Sequence, residues 1–108
     1  MAARRVRIAL PETAQAGELV QVKTLIAHPM ETGYRRDGMG RQIPRDILTR
    51  FRCTYLDELV IDHELRPGIS ANPYLSFAFI AERTGIVDFV WVDQDGVETR
   101  EHRTLTVR

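Results

Sequence analysis

The sequence of 108 residues has a single cysteine, Cys53, and therefore cannot form an intrachain disulfide. This absence excludes the disulfide frameworks of small secreted domains, so the chain has to be held together by its core. The sequence also lacks any apolar run near the roughly 20 residues that a membrane-spanning helix needs. No apolar stretch typical of a secretory signal follows the first arginines, and on that ground alone we expect synthesis as a cytoplasmic chain.

Net charge is lacking as well, because 15 basic residues balance 15 acidic ones. A general nucleic-acid binder gains affinity by neutralising many phosphates, so this balance argues against that class of protein. The charges are nevertheless unevenly spread: residues 35–52 hold six arginines, whereas residues 57–64 hold four carboxylates and no lysine or arginine. This distribution predicts either a surface with a positive and a negative side or, as for most charge runs, a solvated face.

What the sequence does contain is a series of short segments that alternate apolar and polar residues, the period of a half-buried β-strand. They follow one another at spacings near ten residues, and Asp95-Gly96 is the strongest hairpin signal. The pattern predicts an all-β fold, an immunoglobulin-like antiparallel β-sandwich of about seven strands without a disulfide, formed by residues 1–108 as one domain. Residues 11–17 are expected to be a connecting turn. The predicted strands are Arg5–Leu10, Glu18–Ala27, Ile47–Leu56, Leu59–Leu65, Tyr74–Glu82, Ile86–Val92 and Val97–Val107.

The same alternation predicts which side chains face the core. The aromatic side chains of two successive strands are expected to fill the place that a disulfide takes in antibody domains. Cys53 lies mid-strand on the inward side, away from the flanking arginines, which favours a buried, inert thiol over a reactive one. The predicted inward residues are Val20, Val22, Thr24, Ile26, Phe51, Cys53, Tyr55, Leu75, Phe77, Phe79, Ala81, Val87, Phe89 and Trp91.

A long irregular segment from His28 to Pro44 separates two predicted strands. Connections in compact domains are mostly four to six residues, and long ordered loops often carry binding residues. The alternative is an unstructured surface excursion. Because imidazole and thioether groups suit Cu(I), a copper carrier using His28 and Met30, with Met39 as a further ligand, is a second hypothesis for function. No two histidines, however, have the spacing of a recognised metal motif.

A second irregular segment runs from Ser70 to Tyr74. Its Asn72-Pro73 pair is typical of turn chemistry and is equally compatible with recognition of a partner. Both irregular segments leave strand ends, and the sequence leaves undecided whether they lie at the same end of the sandwich. No glycine-rich phosphate loop or defensible catalytic triad is present, so we do not expect an enzyme. Sulfur chemistry through Cys53 is kept as a third hypothesis.

Three stretches, residues 23–33, 43–47 and 70–77, closely resemble the SoxZ family. The closing Phe-x-Trp-x-Asp pattern at Phe89, Trp91 and Asp93 extends the resemblance over essentially the whole chain. This family supplies one subunit of the SoxYZ carrier of bacterial sulfur-compound oxidation. The resemblance implies a sandwich that pairs with SoxY, whose cysteine on a Gly-Gly-Cys-Gly-Gly-like C-terminal arm holds the sulfur intermediate. Cys53 does not match that carrier site.

The resemblance further implies a non-catalytic scaffold without a cofactor, located in the periplasm and exported already folded with its partner, so that no signal of its own is needed. The implied partners are SoxY, in a heterodimer or higher assembly, and transiently docking enzymes of the cycle, with no nucleic acid and no membrane. Such a permanent pair buries on the order of 2,000 Å² or more. We predict an apolar centre at Tyr74, Ile80, Val90 and Val92. The predicted partner-binding residues are His28, Pro29, Met30, Glu31, Gly33, Arg35, Asn72, Pro73 and Tyr74.

Overall fold

The structure is a computed structural model that describes residues 5–108, so the first four residues of the predicted single domain lie outside it. The described chain forms two sheets packed face to face, which confirms the predicted all-β sandwich. A three-stranded sheet, the small sheet, has the order β1-β3-β6, and a five-stranded sheet, the large sheet, has the order β2-β8-β7-β4-β5. The strands are β1 (Val6–Ala9), β2 (Thr13–Ala14), β3 (Leu19–Ile26), β4 (Leu48–Tyr55), β5 (Glu58–Glu64), β6 (Tyr74–Ile80), β7 (Gly85–Asp93) and β8 (Glu98–Val107).

Strand β2 corrects the prediction, because it lies within residues 11–17, where only a connecting turn was expected. Its Thr13 and Ala14 pair in parallel with Thr106 and Val107 of β8, so the large sheet is not wholly antiparallel. Backbone hydrogen bonds of 2.9 and 3.0 Å hold this pairing together. Two residues are too few to show an alternating pattern, and for that reason the sequence does not reveal the strand.

The core lies between the sheets and consists of the side chains that alternation turns inward. Phe51 of the large sheet contacts Phe77 of the small sheet, with ring centroids 5.8 Å apart, and packs on Trp91 at 5.0 Å. Phe51 and Phe89 are fully buried, whereas Phe77 is half-buried. These aromatic contacts join the two sheets, as expected in a sandwich without a disulfide.

Tyr55 holds the connection where the chain crosses from the small sheet to the large one. Its hydroxyl accepts hydrogen bonds from the backbone N–H groups of Glu82 and Arg83, at 3.2 and 3.1 Å, and donates to the Arg83 carbonyl. These backbone groups lie between β6 and β7, outside either ladder, so the side chain supplies the partners that the sheets do not.

The predicted hairpin at Asp95-Gly96 is confirmed between β7 and β8. The N–H of Gly96 donates to the Asp93 carbonyl at 3.0 Å, and Gly96 has a φ of 82°, a conformation that favours glycine. No helix in residues 5–108 is long and apolar enough to cross a membrane.

Candidate protein-binding site

The two irregular segments lie at the same end of the sandwich, where His28 and Asn72 bind each other. The N–H of His28 donates to Asn72 Oδ1 at 2.9 Å, and the N–H of Asn72 donates back to the His28 carbonyl at 2.7 Å. Asn72 has a φ of 55°, a left-handed conformation that asparagine adopts more readily than most residues. Behind it, Pro73 is buried, and its carbonyl accepts the N–H of Ile26 at 3.3 Å. The two connections are therefore fastened to each other.

His28 and Met30 form the base of the long loop and are both buried. His28 Nδ1 accepts the Met30 N–H at 3.0 Å, and His28 Nε2 lies 3.5 Å from Asp46 Oδ1. The Met30 sulfur accepts the N–H of Leu48 at 3.3 Å. Met39, by contrast, is 79% exposed. Within residues 5–108, no three His, Cys, Asp or Glu side chains are grouped as metal ligands. The copper hypothesis therefore has no support in the positions of His28, Met30 and Met39.

Glu31 and Arg35 form a bidentate ion pair above this base. Arg35 donates through Nη2 and Nε to the two carboxylate oxygens of Glu31, at 2.5 and 3.1 Å. These hydrogen bonds lower the pKa of Glu31 and raise the pKa of Arg35. Backbone hydrogen bonds of 2.8 and 2.9 Å connect Glu31 to Asp46 across the loop. The pair is thus positioned by the loop backbone and remains at the surface.

Gly33 is required where the two sides of the loop approach each other. It has a φ of 90°, and a Cβ atom at this position would lie 3.2 Å from the Cβ of Arg45. Any other residue would be strained here both by its backbone and by this neighbour. Gly33 therefore shapes the loop, while Pro29, next to the buried base, is exposed.

Residues 34–43 form the outer part of the loop, which we call the tip. The N–H of Asp37 donates to the Arg41 carbonyl and the N–H of Ile43 to the Arg35 carbonyl, both at 2.8 Å. Tyr34 is 86% exposed beside them. The tip is therefore a hydrogen-bonded hairpin and not an unstructured excursion.

The outer face of the small sheet carries only two charged residues at its strand positions, Arg7 and Lys23. Register places Leu19 of β3 beside Ile80 of β6, and Leu25 beside Tyr74. Leu19, Tyr74 and Ile80 are each more than half exposed. The residues of this small-sheet face are Arg7, Ala9, Leu19, Gln21, Lys23, Leu25, Tyr74, Ser76, Ala78 and Ile80.

The outer face of the large sheet, the large-sheet face, carries charges that pair across its strands. Arg50 makes two hydrogen bonds of 2.6 Å to Asp62 on β5. Arg52 and Arg100 both lie near Glu98, at 3.9 and 2.7 Å. Because β5 folds back beside β4, Asp62 of the acidic segment pairs with Arg50 of the basic one. The positive and negative sides suggested by the sequence are thus not separated here.

The structure also divides the predicted apolar centre of the interface. Tyr74 and Ile80 belong to the small-sheet face, whereas Val90 and Val92 are half-buried among the charges of the large-sheet face. These four residues therefore do not form one surface. Alternation distinguishes inward from outward side chains but does not assign a strand to a sheet.

Cys53 is fully buried between the sheets, as predicted. Burial, with a smaller contribution from the charge of Asp88, raises the pKa of the Cys53 thiol to about 12. The reactive form of cysteine is the thiolate, and a buried thiol with a raised pKa is a poor nucleophile. The surroundings of Cys53 therefore do not favour sulfur chemistry at this residue.

Comparison with known proteins gives one family and several related folds. The model of the family described as "Sulphur oxidation protein SoxZ" matches residues 6–104. No curated protein matches the chain. The sulfur carrier protein SoxY from Chlorobium limicola f thiosulfatophilum is 18% identical, with a TM-score of 0.68 over 95% of this chain and 78% of that one. The superoxide reductase (neelaredoxin) from Ignicoccus hospitalis is 14% identical, with a TM-score of 0.72 over 97% and 82%. Identities this low show a shared fold alone.

Proposed function

Because the chain belongs to the SoxZ family of sulfur oxidation proteins, we propose that it pairs with a SoxY subunit and is the non-catalytic scaffold of a carrier complex. The family match over residues 6–104 is the observation that carries this proposal, and it places the chain in the Sox sulfur oxidation system. The sulfur carrier SoxY from Chlorobium limicola shares the fold, so the proposed pair consists of two similar sandwiches. In this pair, SoxY holds the sulfur intermediate on its own cysteine.

The pairing is tested by co-expressing the chain with the SoxY protein of the same organism, with an affinity tag on SoxY only. We expect the two to co-purify and to elute from a sizing column as one heterodimer. A chain that remains monomeric beside folded SoxY would contradict the proposal. So would turnover of thiosulfate by the isolated chain.

The proposal that this chain does no chemistry of its own is supported by the burial of Cys53, its single thiol. Alkylation by iodoacetamide under native conditions measures the accessibility of this thiol. We expect the reaction to require unfolding, so that its rate rises with added urea. Rapid alkylation of the folded chain would contradict this part of the proposal.

We further propose that the complex works in the periplasm and that SoxY brings this chain across the membrane. Cell fractionation with and without the signal sequence of SoxY tests this location. We expect the chain in the periplasmic fraction only when SoxY carries its signal. Export of the chain in cells that lack SoxY would contradict the co-export proposal.

The tip, together with the Glu31–Arg35 pair at its start, is the proposed contact for enzymes of the cycle. Its exposed Tyr34 and Met39 project beyond the buried base and are available for transient contacts. Replacing residues 37–41 by a Gly-Ser linker should slow thiosulfate oxidation by the reconstituted enzymes while leaving the SoxY complex intact. Unchanged oxidation would exclude the tip from enzyme docking.

A further inference from the structure

The small-sheet face exposes apolar side chains that no described part of the chain covers. Leu19 and Ile80 oppose each other on β3 and β6, and Tyr74 extends the apolar surface at the other end of β6. Between them on β6, Ser76 and Ala78 have short side chains. Large exposed apolar side chains on one sheet face are typical of a protein–protein interface.

The positive charges of this region are not neutralised within the described chain. Arg7 and Lys23 lie on the small-sheet face and Arg5 lies at its edge, and within residues 5–108 none of them has a carboxylate within 4.0 Å. Arg5 and Arg7 line a shallow groove beside Asn72, with a volume of about 170 Å³. A surface that binds here therefore needs carboxylates opposite the three cations.

A second copy of this chain does not meet that need. The strand positions of the small-sheet face hold two cations and no carboxylate. In a two-fold pair that sets these strand positions against each other, Arg7 and Lys23 would face only like charges or neutral groups, because the carboxylates of Glu58 and Glu82 line the groove at the β6 edge and not the face itself. A SoxY subunit has the same fold with a different sequence, so it can offer a sheet face of matching shape that carries acidic side chains.

The small-sheet face alone is smaller than a standard protein–protein interface, so the contact has to include neighbouring surface. Strand β3 has eight residues and spans about 26 Å, and three strands with their side chains are about 15 Å wide. The resulting footprint of about 400 Å² is roughly half of what each partner contributes to a standard interface. The groove at Asn72 and a second groove of about 260 Å³ along the β6 edge, which is lined by exposed Leu59 and by Glu58 and Glu82, can supply the rest.

We infer that the small-sheet face, continued into these two grooves, is the surface on which the apolar face of a SoxY sandwich docks, with SoxY carboxylates opposite Arg5, Arg7 and Lys23. This inference rests on the proposed function and adds which face of the molecule is used. The large-sheet face then stays in solvent, since its arginines already have partners in the chain.

Two isoleucines provide a matched test. Ile80 on the small-sheet face and Ile86 on the large-sheet face are each 51% exposed. Ile80→Glu and Ile86→Glu are purified and titrated with the SoxY of the same organism by isothermal calorimetry. We expect Ile80→Glu to raise Kd at least 100-fold and Ile86→Glu to change it less than threefold. Circular dichroism and thermal unfolding of the free variants establish that both are folded.

The outcomes separate this inference from the proposed function. If the wild-type chain does not bind SoxY, the proposed function fails. If the wild-type chain binds and Ile86→Glu weakens binding as much as Ile80→Glu does, or more, the function stands and the choice of face is wrong. If Ile80→Glu abolishes self-association of the free chain but leaves SoxY binding unchanged, the face is a homodimer surface and the inference is also overturned.

Should Ile80→Glu not fold, Ser76→Arg on the same face is the substitute, with at least a 10-fold rise in Kd expected.

Discussion

The two outer faces of this sandwich deal with charge and apolar surface in opposite ways. On the large-sheet face, arginines and carboxylates from neighbouring strands neutralise one another, as Arg50 and Asp62 do across β4 and β5. On the small-sheet face, Lys23 has no such partner within residues 5–108, and Leu19 and Ile80 remain open beside it. A face whose charges are paired within the chain leaves no charge for a partner to neutralise. A face with open charges and open apolar groups is the one that we propose for the complex with SoxY.

The largest expected effect concerns the core that supports both faces. Phe79 of the small sheet and Phe89 of the large sheet are 8% and 0% exposed. Truncation of either to alanine should lower the free energy of unfolding by about 3–5 kcal/mol, with the greater loss for Phe89 because it is fully buried. Urea unfolding of Phe79→Ala and Phe89→Ala measures this. A loss below about 1 kcal/mol at Phe79 would mean that the small sheet is not packed on the same core.

A smaller effect separates the small-sheet face from the tip. Both Tyr74 and Tyr34 are exposed, but only Tyr74 belongs to the small-sheet face. Tyrosine is among the residues whose truncation most often weakens a protein–protein interface, so Tyr74→Ala should weaken SoxY binding about 10-fold, which corresponds to about 1.4 kcal/mol. Tyr34→Ala serves as the matched control and should leave Kd within about threefold. If Tyr34→Ala weakened binding and Tyr74→Ala did not, the SoxY contact would lie at the tip and not on the small-sheet face.

A still smaller effect concerns the open charges. Lys23→Glu should weaken SoxY binding several-fold at low salt and reduce the salt dependence of association, because it replaces an attraction by a repulsion. Arg52→Glu on the large-sheet face should leave binding unchanged and lower stability by about 0.5–1 kcal/mol, since it sets a carboxylate near Glu98. Stopped-flow association at several salt concentrations distinguishes the two variants. Equal effects on association would remove the distinction between the faces.

The smallest effect is the pH dependence of the ion pair on the large-sheet face. Hydrogen bonding to Arg50 holds the pKa of Asp62 below its usual value of 3.8. A carboxylate whose pKa is lower in the folded state contributes stability above its unfolded pKa, and this contribution disappears as pH falls through the folded pKa. The thermal midpoint of Asp62→Asn should therefore lie slightly below wild type at neutral pH and converge with it in strong acid. Arg50→Gln should show the same pH dependence. A difference in thermal midpoint between variant and wild type that stays constant with pH would contradict the assignment of the lowered pKa to this ion pair.

The strands were predictable because their signals are local. All seven predicted strands occur, with ends displaced by no more than two residues. Alternating residues define the inward side, and prolines and glycines define the turns. Two features lie beyond such signals: the pairing of β2 with β8, which is made by residues distant in the sequence, and the separation of Tyr74 and Ile80 from Val90 and Val92 on different sheets.

The candidate site was less predictable, because its geometry depends on contacts between distant segments. The nine predicted binding residues do gather around one end of the sandwich, but His28, Met30 and Pro73 are buried there. Histidine in a loop is usually exposed, and the burial of His28 depends on Asn72, which lies 44 residues away. These three residues hold the shape of the site. Among the nine, the exposed residues Pro29, Arg35, Asn72 and Tyr74 are the ones available for contact.

The closed backbone of the tip has a practical consequence for following this subunit in cells. Hydrogen bonds between Asp37 and Arg41, and the pairing of Arg36 with Gln42, complete the hairpin without help from any strand of the two sheets. A small fluorescent label on exposed position 39 would thus sit on a self-contained arm outside both sheets. Such a reporter would give a signal from the assembled carrier and would change that signal when an enzyme arrives at the arm.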